Sequence, residues 1–419
     1  MGSEMCIRDR AGNIHSTLPA EFATYTEMLE DAGYFVGSTG KAWSPGRLEP
    51  GGRTVNPAGR LFANHQLLPP HQGIANKDYA RNFADFMAER PKEMPFCFWL
   101  GTHESHRGFE LGVGVKTGKD PSKVHVPDYF PDHPIVRNDL LDYMVEVEYF
   151  DSVVAKAIAQ LEALGELDNT IIVVTSDHGM PFPRAKASLY DAGSRVPLAI
   201  RWPNGIKSSG RVSSAFANLS DLAPTFLEAA GLKPAPSMTG ISLLPELKQT
   251  TGQQRSRAFI AMERHDGCRR GGKGYPCRAL RNKDFLFIKN YEPERWPAGD
   301  PDASVCARGI PFGEVDSAPT KTLLMDNKEE PAFRQFYDLA FAKHPAEELY
   351  DVRSDPDQIR NVAGDPKYAD VLQQLRTELD EYLVQTKDPR MIGGEVLWDY
   401  YPYYGFRKNK DWKVDARPE

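Results

Sequence analysis

Asp177 and His178 stand together in the string Thr175-Ser176-Asp177-His178-Gly179-Met180-Pro181-Phe182-Pro183-Arg184-Ala185-Lys186. A carboxylate beside an imidazole suits a divalent cation, and Lys186, nine residues beyond Asp177, could meet an anion held by that cation. The apolar run before them, Ile171-Ile172-Val173-Val174, reads as a strand buried on both faces. Open α/β sheets collect ligands just beyond the carboxyl ends of such strands. Gly179 would let the backbone turn sharply there. Read alone, Asp-His-Gly is equally a strand-ending turn, with Asp177 as a local cap and His178 solvated.

Three further segments carry similar chemistry in order along the chain. Thr39-Gly40-Lys41-Ala42-Trp43-Ser44-Pro45-Gly46 places a lysine after a short strand. Pro95-Phe96-Cys97-Phe98-Trp99-Leu100-Gly101-Thr102-His103-Glu104-Ser105-His106-Arg107 places two histidines after another. Glu347-Glu348-Leu349-Tyr350-Asp351, followed by Asp355-Pro356, lies near the end. These four segments resemble those of the sulfatase family in the alkaline-phosphatase superfamily. The Asp177–Pro183 continuation looks most like the N-sulfoglucosamine sulfohydrolase (heparan N-sulfatase) branch. The resemblance runs from Ala11 to about Met391.

The resemblance implies an α/β fold, a large, mostly parallel alkaline-phosphatase-like sheet between helices, with a smaller C-terminal α+β subdomain. It makes Asp177 and His178 half of a metal site, usually for calcium, and gives Lys41, His106 and Lys186 catalytic roles. His103, Arg107 and His265 are expected to bind substrate. Hydrolysis of a sulfate ester or sulfamate needs a nucleophile, cations on the equatorial oxygens and a proton for the leaving atom. The family supplies the nucleophile as formylglycine, made from a Cys/Ser-x-Pro-x-Arg motif, and completes the metal site with an Asp-Asp pair. Neither string is in this sequence. Cys6-Ile7-Arg8-Asp9-Arg10 has arginine where proline is required, so Met1–Arg10 is expected to be a scar or gene-call artefact. The chain then reads as a catalytic domain truncated at its N-terminus, inactive by itself. Trp43 occupies the position where the branch has a histidine; it either stacks on a sugar or packs in the core.

At 419 residues, 41% hydrophobic and 26% charged, the composition is that of an ordinary globular chain. A net charge of −7 argues against nucleic acid as a partner. No run approaches the roughly eighteen apolar residues of a membrane span. The compartment is not legible from the residues; the resemblance implies a periplasmic or secreted protein. Cys268 and Cys277 flank a basic loop that a disulfide could staple in an oxidising compartment. Glu263-Arg264-His265 with Arg269, Arg270 and Lys273 reads either as a basic lip for glycan carboxylates and sulfates or as a solvated charge run.

Helical spacing is expected from Phe22 to Ala32, from Arg81 to Arg90, from Tyr143 to Leu161, from Asn218 to Ala230 and from Ala369 to Val384. Strands are expected at 34–37, 96–100, 171–174 and 196–202, then as paired short strands at 259–262 and 285–288. Alternation over 11–235 implies the parallel sheet, and 236–419 the second subdomain. The reading is a sulfatase acting on a sulfated carbohydrate. A phosphoester or phosphonate hydrolase of the same superfamily and a non-catalytic glycan binder are the alternatives.

Overall fold

Thr24 and Glu27 each accept a hydrogen bond from the other's backbone N–H, a reciprocal cap that starts α1 (Tyr25–Asp31). The computed structural model describes residues 15–250, 255–393 and 395–417, so Cys6 lies outside the described residues. β1 (Phe35–Gly40) follows, then β2 (Arg60–Leu61), α2 (Tyr79–Glu89) and β3 (Phe96–Gly101). These strands form a parallel sheet in the order β2-β1-β3. One face is sealed by Phe83, Phe86 and Met87 of α2, packed with Phe62 and Leu161 against Phe35, Phe96 and Phe98.

α3 (Pro134–Ala163) begins earlier than its apolar stripe suggests. Pro134 sits in the first turn, where its missing N–H costs nothing, and His133 caps it. β4 (Ile172–Thr175) pairs antiparallel with β5 (Leu198–Arg201). The sheets are thus mixed, parallel in β2-β1-β3 and antiparallel in β4-β5. The segment between β4 and β5 holds the four-residue helix Asp191–Ser194. All four residues of β4 are half-buried, not buried on both faces. α4 (Leu222–Ala229) then tolerates Pro224 in its first turn.

β6 (Arg257–Met262), β7 (Cys277–Asn282), β8 (Phe285–Asn290) and β9 (Glu347–Asp351) form an antiparallel sheet in that order. Between β8 and β9 run α5 (Pro319–Asp326) and α6 (Pro331–Phe341). α7 (Ala369–Gln385) lays Leu372, Leu375, Leu379 and Leu383 on one face of this sheet. The other face packs on Leu189 and Tyr190, just beyond Lys186. β6 and β8 are therefore not partners; each pairs with β7, a strand its own sequence conceals. Arg278 and Arg281 look like solvent-facing residues, but Arg278 is fully buried between Glu263 (2.5 Å) and Asp388 (2.7 Å). Arg281 grips Asp191 at 2.9 Å, tying the two sheets together.

Cys268 and Cys277 are both buried free thiols, against the expected staple. Cys277 lies in the β-sheet core with Leu189 and Tyr275, whereas Cys268 packs by Gly299 and Gly313. No helix among the described residues is long and apolar enough to cross a membrane.

Candidate active site

Lys41 leaves β1 at a point where two strands come unusually close. A Cβ on Gly40 would meet the Gly101 carbonyl at 2.1 Å, and one on Gly101 would meet the Lys41 carbonyl at 2.0 Å. Only glycines fit at both places. The Lys41 N–H donates to Gly101 at 2.5 Å, so the ends of β1 and β3 are locked together. β3 runs into His103 and His106, and β4 into Asp177 and His178. Gly179 is fixed by the same logic, since a Cβ there would lie 1.8 Å from the Ala192 carbonyl. Its N–H donates to Gly193 at 2.9 Å, which ties the turn after β4 to the Asp191–Ser194 helix.

The electrostatics join these strand ends into one site. Lys41 lies close enough to disfavour protonation of His103 and His106 and to favour the carboxylate of Asp177. Lys186 acts likewise on His106 and His178. The side chains that follow β1, β3 and β4 therefore lie within electrostatic reach of one another. Two cavities of about 550 and 580 Å³ lie elsewhere, beside Arg137 and beside α7, so the cleft is identified by its chemistry and not by its depth.

Each imidazole has a defined partner. His178 Nδ1 lies 2.6 Å from the Gly179 carbonyl, and His106 Nδ1 lies 2.5 Å from that of Arg107. A carbonyl only accepts, so Nδ1 carries the proton in both and Nε2 keeps its lone pair when the ring is neutral. Burial, Lys186 and His265 hold His178 down to about 4, against the pull of Asp177. His103 reaches the surface and meets Lys77 Nζ at 3.0 Å; burial, Lys77 and Lys41 lower it to about 4. Its backbone N–H donates to the Tyr79 hydroxyl at 3.0 Å.

Arg107 corrects the expectation that it binds substrate. Its guanidinium is buried and meets Asp139 through Nη1 (2.5 Å) and Nη2 (3.2 Å), while Nε donates to the Pro181 carbonyl at 2.9 Å. Phe109 and Phe182 flank it at 4.5 and 4.3 Å. Each of its three nitrogens is engaged, so Arg107 braces the histidine loop against the 177–186 loop.

Two acidic residues were invisible in the motifs. Asp316, just before α5, ion-pairs with Lys186 at 2.6 Å, and both side chains are mostly buried. Glu314 accepts from His265 Nδ1 at 2.5 Å and from Arg269 at 2.9 Å. Burial would raise the Glu314 carboxyl, but His265 and Arg269 outweigh it and hold it at about 2. His265 is thereby held within electrostatic reach of His178 and Asp316. Arg264 and Arg269 are buried structural cations, not a solvent-facing lip. Trp43 lays its indole against Gly46, where an added Cβ would touch it at 2.7 Å. The signal for Asp316 and Glu314 is their pairing with distant cations, which motif spacing does not encode.

As metal donors, Asp177 offers one carboxylate and His178 a nitrogen, 3.9 Å apart. Among the described residues no group of three or more His, Cys, Asp or Glu could hold an ion. Calcium takes six to eight oxygens, so these residues do not make up a calcium site.

Residues 10–232, more than half of the chain, match the sulfatase family model. Residues 181–300 match the C-terminal model of N-sulphoglucosamine sulphohydrolase. An ulvan-active sulfatase of Formosa agariphila is 28% identical, over 88% of this chain and 61% of its own length. Human N-sulphoglucosamine sulphohydrolase is 30% identical, over 72% of this chain and 58% of its own. The chain thus spans about three fifths of the length of these curated relatives. A solved protein in complex with its substrate D-glucosamine-2-N,6-O-disulfate superposes with a TM-score of 0.61 at 20% identity, covering 92% of this chain and 87% of that one. At that identity the likeness is one of fold, and it accords with the alkaline-phosphatase-like α/β architecture. The chain is a member of the sulfatase family.

Proposed function

We propose that this cleft binds the sulfate group of a sulfated carbohydrate and would serve its hydrolysis, as an ester or sulfamate, given a nucleophile from outside these residues. What supports the reading is that Lys41 and Lys186 lie within electrostatic reach of His106, with Lys41 also reaching Asp177 and Lys186 reaching His178. Residues of both proposed units, 11–235 and 236–419, contribute, the second through Asp316 and His265.

Lys41 and Lys186 would neutralise the equatorial sulfate oxygens. Sulfate hydrolysis breaks a sulfur–oxygen or sulfur–nitrogen bond, and the departing atom must gain a proton. Burial and Lys186 hold His106 below its ordinary value. A bound sulfate brings negative charge beside it, which favours imidazolium. Substrate binding thereby arms His106 as the acid, with Nε2 as the donating atom. No Cys/Ser-x-Pro-x-Arg string occurs in these residues, so the formylglycine of the family has no counterpart here. Its calcium likewise lacks a full donor set among the described residues, and no step is assigned to either.

The test is paired. The purified chain is offered N-sulfoglucosamine and glucosamine by calorimetry, and an aryl sulfate in a turnover assay. Binding that requires the sulfate, is lost in Lys41→Ala and Lys186→Ala, and proceeds without turnover is the expected result. Equal binding of both sugars would sink the sulfate assignment, and robust turnover would show that a nucleophile has been overlooked.

A further inference from the structure

Residues 395–417 run almost without regular structure, and their composition departs from the rest of the chain. Tyr400, Tyr401, Tyr403, Tyr404 and Phe406 crowd the first part. Residues 407–413 hold four cations, Arg407, Lys408, Lys410 and Lys413, against the single acid Asp411, on a chain of net charge −7.

This tail is fastened. Trp412 is buried, and its indole N–H donates to the Arg269 carbonyl at 3.1 Å. Asp399 accepts from the Gly274 N–H at 2.7 Å and from Arg295 at 3.0 Å. The Asn409 N–H donates to Ala307 at 3.0 Å. Its attachments lead to both sides of the cleft. The Tyr403 hydroxyl donates to Asp266, the neighbour of His265, at 2.6 Å. The Tyr404 N–H donates to the His15 carbonyl at 2.8 Å, and the His15 ring stands edge-on to Tyr403 at 5.0 Å. Ser16 bridges to Gly46, and Arg47 lies over the Tyr404 ring at 5.9 Å. His15 is in turn within electrostatic reach of Lys41, His265 and Arg308.

The groups not spent on fastening have one chemistry. Phe406 is 72% exposed, and Lys408 is exposed. Arg47 and Arg308 are exposed too; Arg47 meets the exposed Glu49 at 3.7 Å, a pair that contributes little in water, and Arg308 reaches the buried Asp266 at 3.5 Å. Aromatic faces take the apolar faces of sugar rings, and guanidinium groups pair with carboxylate and sulfate.

We infer that the Tyr403–Lys408 segment, with Arg47 and Arg308, binds the sugar units flanking the one whose sulfate enters the cleft, so that the ligand is an anionic oligosaccharide. The inference rests on the cleft being the sulfate site.

The experiment titrates inorganic sulfate, N-sulfoglucosamine and a heparin hexasaccharide into the wild type, Phe406→Ala, and the pair Arg308→Gln with Lys408→Gln. All three positions are exposed, and melting curves check that the variants fold. The hexasaccharide is expected to bind the wild type at least roughly tenfold more tightly than the single sugar, and each variant to lose about that factor. Sulfate and single-sugar affinity stay unchanged. Equal affinity for the two saccharides, unaltered hexasaccharide binding in the variants, or no binding of any ligand would overturn the inference. So would a DNA strand of equal charge that competes as well as the hexasaccharide, since that is bare charge attraction. A length effect that persists in the absence of sulfate binding supports this surface and refutes the cleft assignment instead.

Discussion

Replacing Arg107 by alanine is expected to destabilise the chain by about 3–5 kcal/mol, the cost of breaking one partner out of a buried ion pair. The Arg107 side chain is 5% exposed and that of Asp139 1%. Once the guanidinium is gone, Asp139 keeps hydrogen bonds from the Thr320 N–H (3.1 Å) and hydroxyl (2.6 Å), but no counter-charge. The Pro181 carbonyl loses its donor, worth about 1 kcal/mol. The contacts with Phe109 and Phe182 add roughly 0.5–2 kcal/mol, though such terms do not sum. Against a typical stability of about 5–15 kcal/mol, the loss is large. Urea unfolding of Arg107→Ala, Asp139→Asn and the double variant measures it. The double variant is expected to recover part of the loss, because no buried charge is stranded. A loss below about 1 kcal/mol, or strict additivity, would refute the reasoning. A variant that stays stable yet loses sulfate binding would return Arg107 to the role of substrate ligand.

Asp316→Asn removes a carboxylate that competes with an anion for Lys186 at 2.6 Å, so sulfate affinity by calorimetry is expected to rise roughly tenfold. A fall would show that Asp316 is needed to hold Lys186 in position. Burial and the nearby Glu104 push Glu146 up to about 8, above its ordinary 4.5. With the folded value raised, its contribution is full below about 4.5 and is lost as pH rises through about 8. Glu146→Gln is therefore expected to gain on the wild type across that window by up to about 1.4 kcal/mol per pH unit in chemical unfolding, and parallel curves would contradict this.

Local signals read well in this chain. The stretch expected to be helical at 369–384 is α7, and the strands before Lys41, His103 and Asp177 lie at their expected places, because apolar periodicity and turn residues act over a few positions. What stayed hidden depends on partners far along the chain. β7 is disguised by Arg278, whose charge is cancelled by Glu263 and Asp388. The antiparallel direction of β5 is not written in its own residues. Asp139, Glu314 and Asp316 look like surface acids until the fold brings Arg107, His265 and Lys186 to them. The same blindness made Arg107 and Arg269 appear available to a ligand. The motifs name candidate positions but not which of their charges are already taken.

The central claim is that Lys41 and Lys186 share one sulfate with His106 beside it. A crystal structure of the chain with N-sulfoglucosamine tests it most directly. The account predicts the sulfate within hydrogen-bonding distance, about 3 Å, of both lysine ammonium groups, with His106 Nε2 facing the bridging nitrogen. A sulfate bound away from the strand ends, with Lys186 still on Asp316 and Lys41 facing elsewhere, would contradict it.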